Sequence, residues 1–222
     1  MLSRFRLLIF DMDDTLAASG ALWRRAESRL FAQLGHAYDP QIADRYKGMN
    51  AQGVGQTIHA LLQPPGYSAD ACGRLLRQYL LETFAGPLDP MPGADAMVRW
   101  AAGRFTLALA SGSPLEAIQQ VLARFGWTAL FTLVLSSEGM RGKPEPDVFL
   151  EVARRLAIPP AEAVVFEDSL NGVRAAKRAG MTCIAIPSST DPRIREEADC
   201  TFTSFDEIIT AMHEDICHEQ YC

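Results

Sequence analysis

The sequence of 222 residues lacks any apolar run of the roughly 20 residues that a membrane-spanning helix needs. It also lacks a basic cluster, since 21 lysines and arginines face 27 acids for a net charge of −6, which disfavours a nucleic-acid partner. Its five cysteines form no Cys-x-x-Cys pair, so we expect reduced thiols rather than a disulfide framework. With no segment resembling a signal peptide, we expect a cytoplasmic protein that binds neither membrane nor nucleic acid.

Three common catalytic and nucleotide-binding motifs are also missing. The segment 139–144 contains two glycines, but they are too closely spaced for a P-loop, and proline replaces the required serine or threonine. No Gly-x-Ser-x-Gly sequence is present, and no Gly-x-Gly-x-x-Gly sequence follows the first apolar run. These absences disfavour a P-loop nucleotidase, a serine hydrolase and a dinucleotide-dependent enzyme.

The sequence does contain a regular alternation of short apolar runs and helical patterns. Its composition, 48% apolar and 22% charged, is that of an ordinary globular protein. Continuous apolar runs, typical of strands buried on both faces, lie at 7–10, 105–110, 133–135, 163–166 and 183–186. Helical periodicity follows several of them and stops at Gly126 and Gly180. This alternation predicts an α/β fold, a doubly wound Rossmann-like parallel sheet.

One connection in this pattern is too long for a single crossover helix. Residues 11 and 111 are 100 positions apart, whereas one helical crossover needs roughly 20 to 30 residues. Apolar residues recur at helical spacing around 22–34, 54–62 and 75–84, and a Pro/Gly-rich stretch follows at 86–93. We therefore expect a catalytic core formed by residues 1–16 and 88–222, with an all-helical cap, 17–87, inserted after the first strand.

Acidic residues directly follow two of the predicted strands. Asp11 and Asp13 come after the first strand, and Glu167 and Asp168 come after the run 163–166. The carboxyl ends of parallel strands meet at one edge of the sheet, where ligands bind in such folds. Carboxylates brought together repel one another unless a cation or a shared proton stabilises them. Oxygen ligands from two loops, with open positions for water and phosphate, suit Mg²⁺.

An anion site is indicated by the loop after the second long strand and by a lysine. Ser111 supplies a small hydroxyl, Gly112 allows close backbone approach, and a helix predicted to begin near Pro114 points its N–H groups at the loop. Lys143 adds a point charge ahead of another predicted helix. Together with the carboxylates, these residues have the chemistry of phosphoryl transfer.

The chain resembles the haloacid dehalogenase (HAD) superfamily, specifically the β-phosphoglucomutase-like sugar phosphatases that carry a helical cap. The matching segments are 11–16 (DMDDTL), 109–113 (LASGS), 143–146 (KPEP) and 166–172 (FEDSLNG), in the order typical of that family. Within this branch, segments 19–27 and 113–115 are similar to hexose- and hexitol-phosphate phosphatases of the 2-deoxyglucose-6-phosphatase type.

The resemblance implies a role for each matching residue. Asp11 attacks phosphorus and forms an aspartyl phosphate, while Asp13 protonates the leaving alcohol and then accepts a proton from water. Asp11, the backbone carbonyl of Asp13 and Asp168 hold Mg²⁺. Glu167 assists through metal-bound water, and Asn171 orients the carboxylates around the ligands.

The resemblance also implies how the substrate is held. Ser111, Gly112 and Lys143 bind the phosphoryl group, and three cap residues contact the rest of the molecule: Trp23, Asn50 and Gln52. The implied reaction is Mg²⁺-dependent hydrolysis of small phosphorylated sugars or sugar alcohols by a monomer or weak dimer.

Departures from the family pattern leave two alternatives open. Trp23 stands where β-phosphoglucomutases carry a histidine, which favours hydrolysis over the mutase alternative. Many relatives have glycine at the position of Asp14 and acids within 17–20, and the altered hinge leaves a non-catalytic phosphometabolite-binding protein as a further alternative. The tail residues His213, Cys217, His218 and Cys222 indicate either a soft-metal site or a frayed helix.

Overall fold

A computed structural model describes residues 2–213. Six parallel strands form one sheet in the order β3-β2-β1-β4-β5-β6. The strands are β1 (Leu7–Phe10), β2 (Thr106–Ser111), β3 (Leu133–Ser136), β4 (Ala163–Glu167), β5 (Thr182–Ala185) and β6 (Cys200–Thr201). All five apolar runs are therefore strands, and the short β6 is added to them.

Ten α-helices connect and cover these strands within residues 2–213. Four precede β2 in the inserted segment and a fifth leads into it: α1 (Gly20–Gln33), α2 (Pro40–Tyr46), α3 (Ala51–Leu62), α4 (Ala69–Phe84) and α5 (Ala94–Ala101). The others follow β2: α6 (Leu115–Phe125), α7 (Asp147–Leu156), α8 (Leu170–Arg178), α9 (Pro192–Glu197) and α10 (Phe205–His213).

Strand β1 is buried on both faces, which confirms the doubly wound sheet. Leu8 and Phe10 belong to one apolar cluster, whereas Leu7 and Ile9 belong to a second cluster on the other face. Phe10 stacks on Phe166 of β4 with ring centroids 4.7 Å apart. A strand whose side chains enter two separate cores has a continuous apolar run in its sequence, as residues 7–10 do.

The chain leaves the sheet after β1 and returns beside its point of exit. The N–H of Ala18 donates to the carbonyl of Asp89 at 2.9 Å, and the N–H of Met91 donates to the carbonyl of Leu16 at 2.9 Å. Asp14, at the start of the exit, has a φ of 55°, a left-handed conformation that aspartate tolerates better than most residues. Helices α1, α3 and α4 lie where the periodicity predicts them.

Helix α2 was not predicted from the sequence. It has seven residues, too few for a periodic apolar stripe, and only Tyr46 among them is buried. Its start follows a local rule: the Asp39 carboxylate accepts the N–H of Gln41, and Pro40 occupies the first helical position. Helix α2 and the loop after it form a wall above the sheet edge, so this omission affects the site.

Among the helices of residues 2–213, we find none with the length and apolar character needed to cross a bilayer. Cys72 and Cys183 are buried free thiols, whereas Cys200 is disulfide-bonded, so the expectation of reduced cysteines is wrong for Cys200. The proposed soft-metal residues Cys217, His218 and Cys222 lie outside the described residues.

Candidate active site

Strands β1 and β4 bring three carboxylates together at the carboxyl edge of the sheet. Phe10 is in register with Phe166, and the N–H of Asp11 continues the ladder to the carbonyl of Phe166 at 3.0 Å. Asp11 therefore lies beside Glu167 and Asp168. One carboxylate oxygen from each of the three residues falls within 4.8 Å of the others, and all three residues are buried.

Lys143 ties two of these carboxylates together. Its Nζ lies 2.6 Å from Oδ1 of Asp11 and 2.6 Å from Oε1 of Glu167, and its side chain is 1% exposed. Burial by itself would lower the pKa of Lys143, but the two carboxylates raise it above its usual range. Lys143 is thus a permanent buried cation that holds Asp11 in position.

Asp11 has a pKa well above that of an ordinary aspartate. Burial is the main cause; Lys143 lowers the pKa, and the neighbouring carboxylates of Glu167, Asp13 and Asp168 raise it again. The ionised form of Asp11, which a nucleophile requires, therefore depends on positive charge nearby.

Asp168 is a member of the carboxylate group that lies close to the inserted segment. Burial raises its pKa to about 7, although Lys47 of the inserted segment, with Nζ at 3.4 Å, opposes the rise. The hydroxyl of Ser188, which follows β5, donates to Oδ2 of Asp168. A buried carboxylate with this pKa is ready to accept a cation in place of a proton.

The donor set fits a hard divalent cation. Three buried carboxylates carry more negative charge than the buried ammonium of Lys143 balances, and oxygen is the ligand atom that Mg²⁺ prefers. The group contains Asp11 and Asp168, two of the predicted metal ligands, together with Glu167. The Asp13 carboxylate is not part of it, which leaves the backbone carbonyl as the predicted contribution of Asp13.

Asp13 is surrounded by uncharged hydrogen-bond donors. Oδ1 accepts from Ser19 Oγ at 2.7 Å and from the indole Nε1 of Trp23 at 2.9 Å. Oδ2 accepts from Ser111 Oγ at 2.9 Å and from Ser113 Oγ at 2.8 Å. Burial raises the pKa of Asp13 even though these hydrogen bonds lower it. Among the residues that the structure describes, Asp11 is thus paired with a cation and Asp13 is not.

The loop that was predicted to cradle phosphate lies beside both aspartates. Ser111 is fully buried, and its hydroxyl accepts the N–H of Ser113 at 3.0 Å while donating to Asp13. A Cβ atom on Gly112 would lie 2.7 Å from the carbonyl oxygen of Met49. Glycine is required at this position because the inserted segment approaches the backbone of the loop.

Glu167 is fixed by the start of α8. Its Oε2 accepts the N–H groups of Asp168 at 3.0 Å and Ser169 at 3.2 Å, and the hydroxyl of Ser169 at 3.1 Å. A Cβ atom on Gly172 would overlap the Glu167 carboxylate. The glycine in this motif therefore makes room for a carboxylate at the N-terminus of a helix, where negative charge is favourable.

A cavity of about 270 Å³ opens onto the two aspartates. The sheet edge provides Asp11, Asp13, Gly112 and Asp168, and the inserted helices provide the opposite wall. Trp23, one of the three predicted substrate contacts, lines this wall. We call this space the site cavity.

Asn50 and Gln52 do not line the site cavity, contrary to their predicted contact with substrate. The amide of Asn50 donates to the carbonyls of Ser137 at 2.8 Å and Met140 at 3.2 Å, and its oxygen caps α3 through the N–H of Gly53. Gln52 is exposed beside other surface cavities.

Asn171 also has partners other than those predicted. Its amide nitrogen donates to the carbonyl of Lys47 at 2.8 Å and lies 3.5 Å from that of Arg45. Asn50 and Asn171 thus connect the inserted segment to the core on two sides of the site.

Sequence reasoning missed Lys47 and Ser188. Lys47 lies 3.7 Å from Asp14 and 3.4 Å from Asp168, and it donates a hydrogen bond to Ser188. A signal existed for Ser188, since it follows the fifth predicted strand and belongs to the same sheet edge. Lys47 had no such signal, because its position depends on how the inserted segment folds over the sheet.

Comparisons with known proteins agree with this arrangement. A family model for haloacid dehalogenase-like hydrolases matches residues 5–180. Fructose-1-phosphate phosphatase YqaB of Escherichia coli K12 is 31% identical over 190 residues, covering 84% of this chain and 98% of that protein. Hexitol phosphatase B of the same strain is 33% identical over 194 residues, covering 83% of this chain and 86% of that protein.

The fold is shared with proteins of known structure. The crystal structure of CbbY from Rhodobacter sphaeroides in complex with phosphate is similar with a TM-score of 0.79 and 28% identity, covering 92% of this chain and 96% of that one. The parallel sheet and the acidic loop after β1 agree with a family match over most of the sequence. The chain belongs to the haloacid dehalogenase-like hydrolases.

Proposed function

We propose that this hydrolase is a Mg²⁺-dependent phosphatase of small phosphorylated sugars or sugar alcohols, with Asp11 as its nucleophile. The observation that carries the proposal is the different surroundings of two neighbouring aspartates. Asp11 is ion-paired with Lys143 at 2.6 Å, whereas Asp13 accepts hydrogen bonds from neutral groups alone among the described residues. In many hydrolases two neighbouring carboxyl groups have different environments, and this difference makes one the nucleophile and the other the general acid and base.

In the first step, a carboxylate oxygen of Asp11 attacks the phosphorus atom and the bond from phosphorus to the ester oxygen breaks. Asp13 in its protonated form gives its proton to that oxygen, so the product leaves as a neutral alcohol. The raised pKa of Asp13 supports this role, because a carboxyl group must retain a proton to donate it.

In the second step, water attacks the aspartyl phosphate and its proton passes to the Asp13 carboxylate. Inorganic phosphate leaves and Asp11 is regenerated. Lys143 keeps Asp11 oriented through both steps and neutralises part of the phosphoryl charge.

Asp11 and Asp168 would hold the magnesium ion, with Glu167 completing the buried carboxylate group. The bound ion would neutralise phosphoryl oxygens and favour the ionised form of Asp11.

The relatives support the substrate class. Two bacterial relatives are named as phosphatases of fructose 1-phosphate and of hexitol phosphates. We propose that residues 17–87 form a cap that closes the site cavity over the leaving group. Trp23, rather than a histidine, faces Asp13 from this segment, which supports hydrolysis over phosphoryl transfer to a second sugar.

Phosphate release from a panel of sugar, polyol, nucleotide and glycolytic phosphates, with Mg²⁺ and with EDTA, tests the proposal. We expect release from hexose or hexitol phosphates that requires Mg²⁺ and is lost in Asp11→Asn. Activity that survives both EDTA and Asp11→Asn would contradict it, and net interconversion of sugar 1- and 6-phosphates would favour the mutase alternative.

A further inference from the structure

The wall of the site cavity opposite the aspartates contains two buried polar groups that the hydrolytic steps do not use. Glu27 of α1 is 6% exposed and Tyr46 of α2 is 1% exposed, and both line the cavity. The Tyr46 hydroxyl has no hydrogen-bond partner among the described residues. A buried hydroxyl without a partner is costly, so an unpartnered hydroxyl on a residue that lines a cavity points to a bound molecule as its partner.

Glu27 also has unused hydrogen-bonding capacity. Within the described part of the chain, its carboxylate accepts one hydrogen bond, from Tyr38 Oη to Oε2 at 3.1 Å, although a carboxylate can accept about four. Burial raises the pKa of Glu27 to about 7, while Tyr38, Lys47 and Arg24 act to lower it. The group is therefore an acceptor in a largely apolar wall with positive charge already nearby.

Helix α1 places Glu27 in line with the reaction centre. Trp23, which donates to Asp13 at 2.9 Å, precedes Glu27 by four positions, so both side chains lie on one face of α1, one turn apart. One turn of helix advances about 5–6 Å. A substrate whose ester oxygen faces Asp13 therefore meets Glu27 with atoms several bonds from the phosphorus.

We propose that Glu27 and Tyr46, with Tyr38 orienting the carboxylate, form a subsite that binds a hydroxyl group of the leaving alcohol distant from the phosphate. The subsite selects phosphate esters of extended polyhydroxy chains. This inference rests on the proposed function and names the residues that recognise the leaving alcohol of the substrate.

The chemistry of the subsite favours a hydroxyl over other groups. A hydroxyl donates to the Glu27 carboxylate and pairs with the Tyr46 hydroxyl, which satisfies both groups at once. A substrate carboxylate in the same place would be repelled by Glu27. A substrate amine has less to gain, because Lys47 and Arg24 already interact with Glu27.

Tyr46→Phe and Glu27→Met test the subsite with sorbitol 6-phosphate and n-hexyl phosphate, which share chain length and differ in hydroxyl groups. We expect kcat/KM for sorbitol 6-phosphate to fall about two- to tenfold in Tyr46→Phe, and about ten- to hundredfold in Glu27→Met. For n-hexyl phosphate, both variants should stay within about twofold of the parent.

Tyr79→Phe is the matched control, since this tyrosine packs under Arg29 on the outer part of the insert and should change neither substrate. Tyr46→Phe breaks no hydrogen bond among the described residues and removes an unpartnered buried hydroxyl, so its thermal unfolding midpoint should not fall. Equal losses on both substrates, or no loss on either, would overturn the subsite.

A binding measurement separates failure of the subsite from failure of the proposed function. In the Asp11→Asn background, calorimetric titration with sorbitol 6-phosphate should give a Kd that Tyr46→Phe weakens about two- to tenfold. If the parent enzyme released no phosphate but this difference persisted, the proposed function would fail and the subsite would stand. An unchanged Kd would overturn the subsite even if the parent enzyme were an active phosphatase.

Discussion

The indole Nε1 of Trp23 donates a 2.9 Å hydrogen bond to Oδ1 of Asp13. This contact joins α1 of the inserted segment to the residue proposed as general acid and base. It also fixes one side of Asp13, since Ser19 donates to the same oxygen. The inserted segment therefore shapes the acid–base group as well as the cavity wall.

Trp23→Phe should lower kcat/KM about tenfold, because it removes one donor from the ionised form of Asp13. Loss of a hydrogen bond to a carboxylate raises the pKa of that carboxylate. The limb of the pH–rate profile that reports Asp13 should therefore move to higher pH. The pH profile of phosphate release measures this shift. Trp100→Phe is the control, since Trp100 packs on Phe105, and an unshifted limb in Trp23→Phe would contradict the role of the indole.

Lys143→Met should strongly destabilise the metal-free protein. It leaves the buried carboxylates of Asp11 and Glu167 without their cation, and breaking a buried pair in this way costs about 3–5 kcal/mol. Lys177→Met, which breaks an ion pair between half-exposed side chains, should cost less than about 1 kcal/mol. Urea unfolding in EDTA compares the two, and equal costs would show that Lys143 is not a buried counter-charge.

Mg²⁺ should raise the thermal midpoint of the parent protein and of Asp70→Ala, but not of Asp168→Asn. A ligand that binds only the folded state stabilises it by RT ln(1 + [L]/Kd), so the midpoint rises with the ligand concentration. Asp168 belongs to the buried carboxylate group, whereas Asp70 is exposed on α4. Differential scanning fluorimetry at increasing Mg²⁺ checks this, and an equal rise in Asp168→Asn would remove Asp168 from the metal site.

Glu27 should make stability fall with rising pH. Burial raises its pKa to about 7 in the folded protein, against about 4.3 when unfolded. The folded state therefore holds the proton more tightly, so this contribution is fully present below about pH 4 and is lost as the pH rises through about 7.

A comparison with Glu27→Gln isolates that contribution. Between pH 5 and pH 8, the free energy of unfolding should fall by about 2–3 kcal/mol more in the parent protein than in the variant. Urea titrations of both proteins at pH 5 and at pH 8 measure these free energies of unfolding. Parallel pH dependence in the two proteins would mean that Glu27 titrates as an exposed glutamate.

Much of the core could be predicted from the sequence because its signals are local. A run such as 7–10 is continuous because β1 faces two cores, and the acids after β1 and β4 share a sheet edge by the geometry of parallel strands. Asp11, Glu167 and Asp168 were therefore found without knowledge of the three-dimensional structure.

The inserted segment gave poorer predictions because its contacts depend on tertiary packing. The amide of Asn50 donates to the carbonyls of Ser137 and Met140. The amide of Asn171 donates to the carbonyl of Lys47. No local pattern specifies such pairs, which are more than 80 positions apart. Lys47 and Tyr46 were missed for the same reason.

The most direct test of the account is the rate of phosphate release from a hexitol phosphate with Mg²⁺, compared between the parent protein and Asp11→Asn. Asparagine preserves the shape of the side chain but cannot form the aspartyl phosphate. We predict a loss of at least about a thousandfold, with folding retained by circular dichroism. A rate within about tenfold of the parent enzyme would contradict the account.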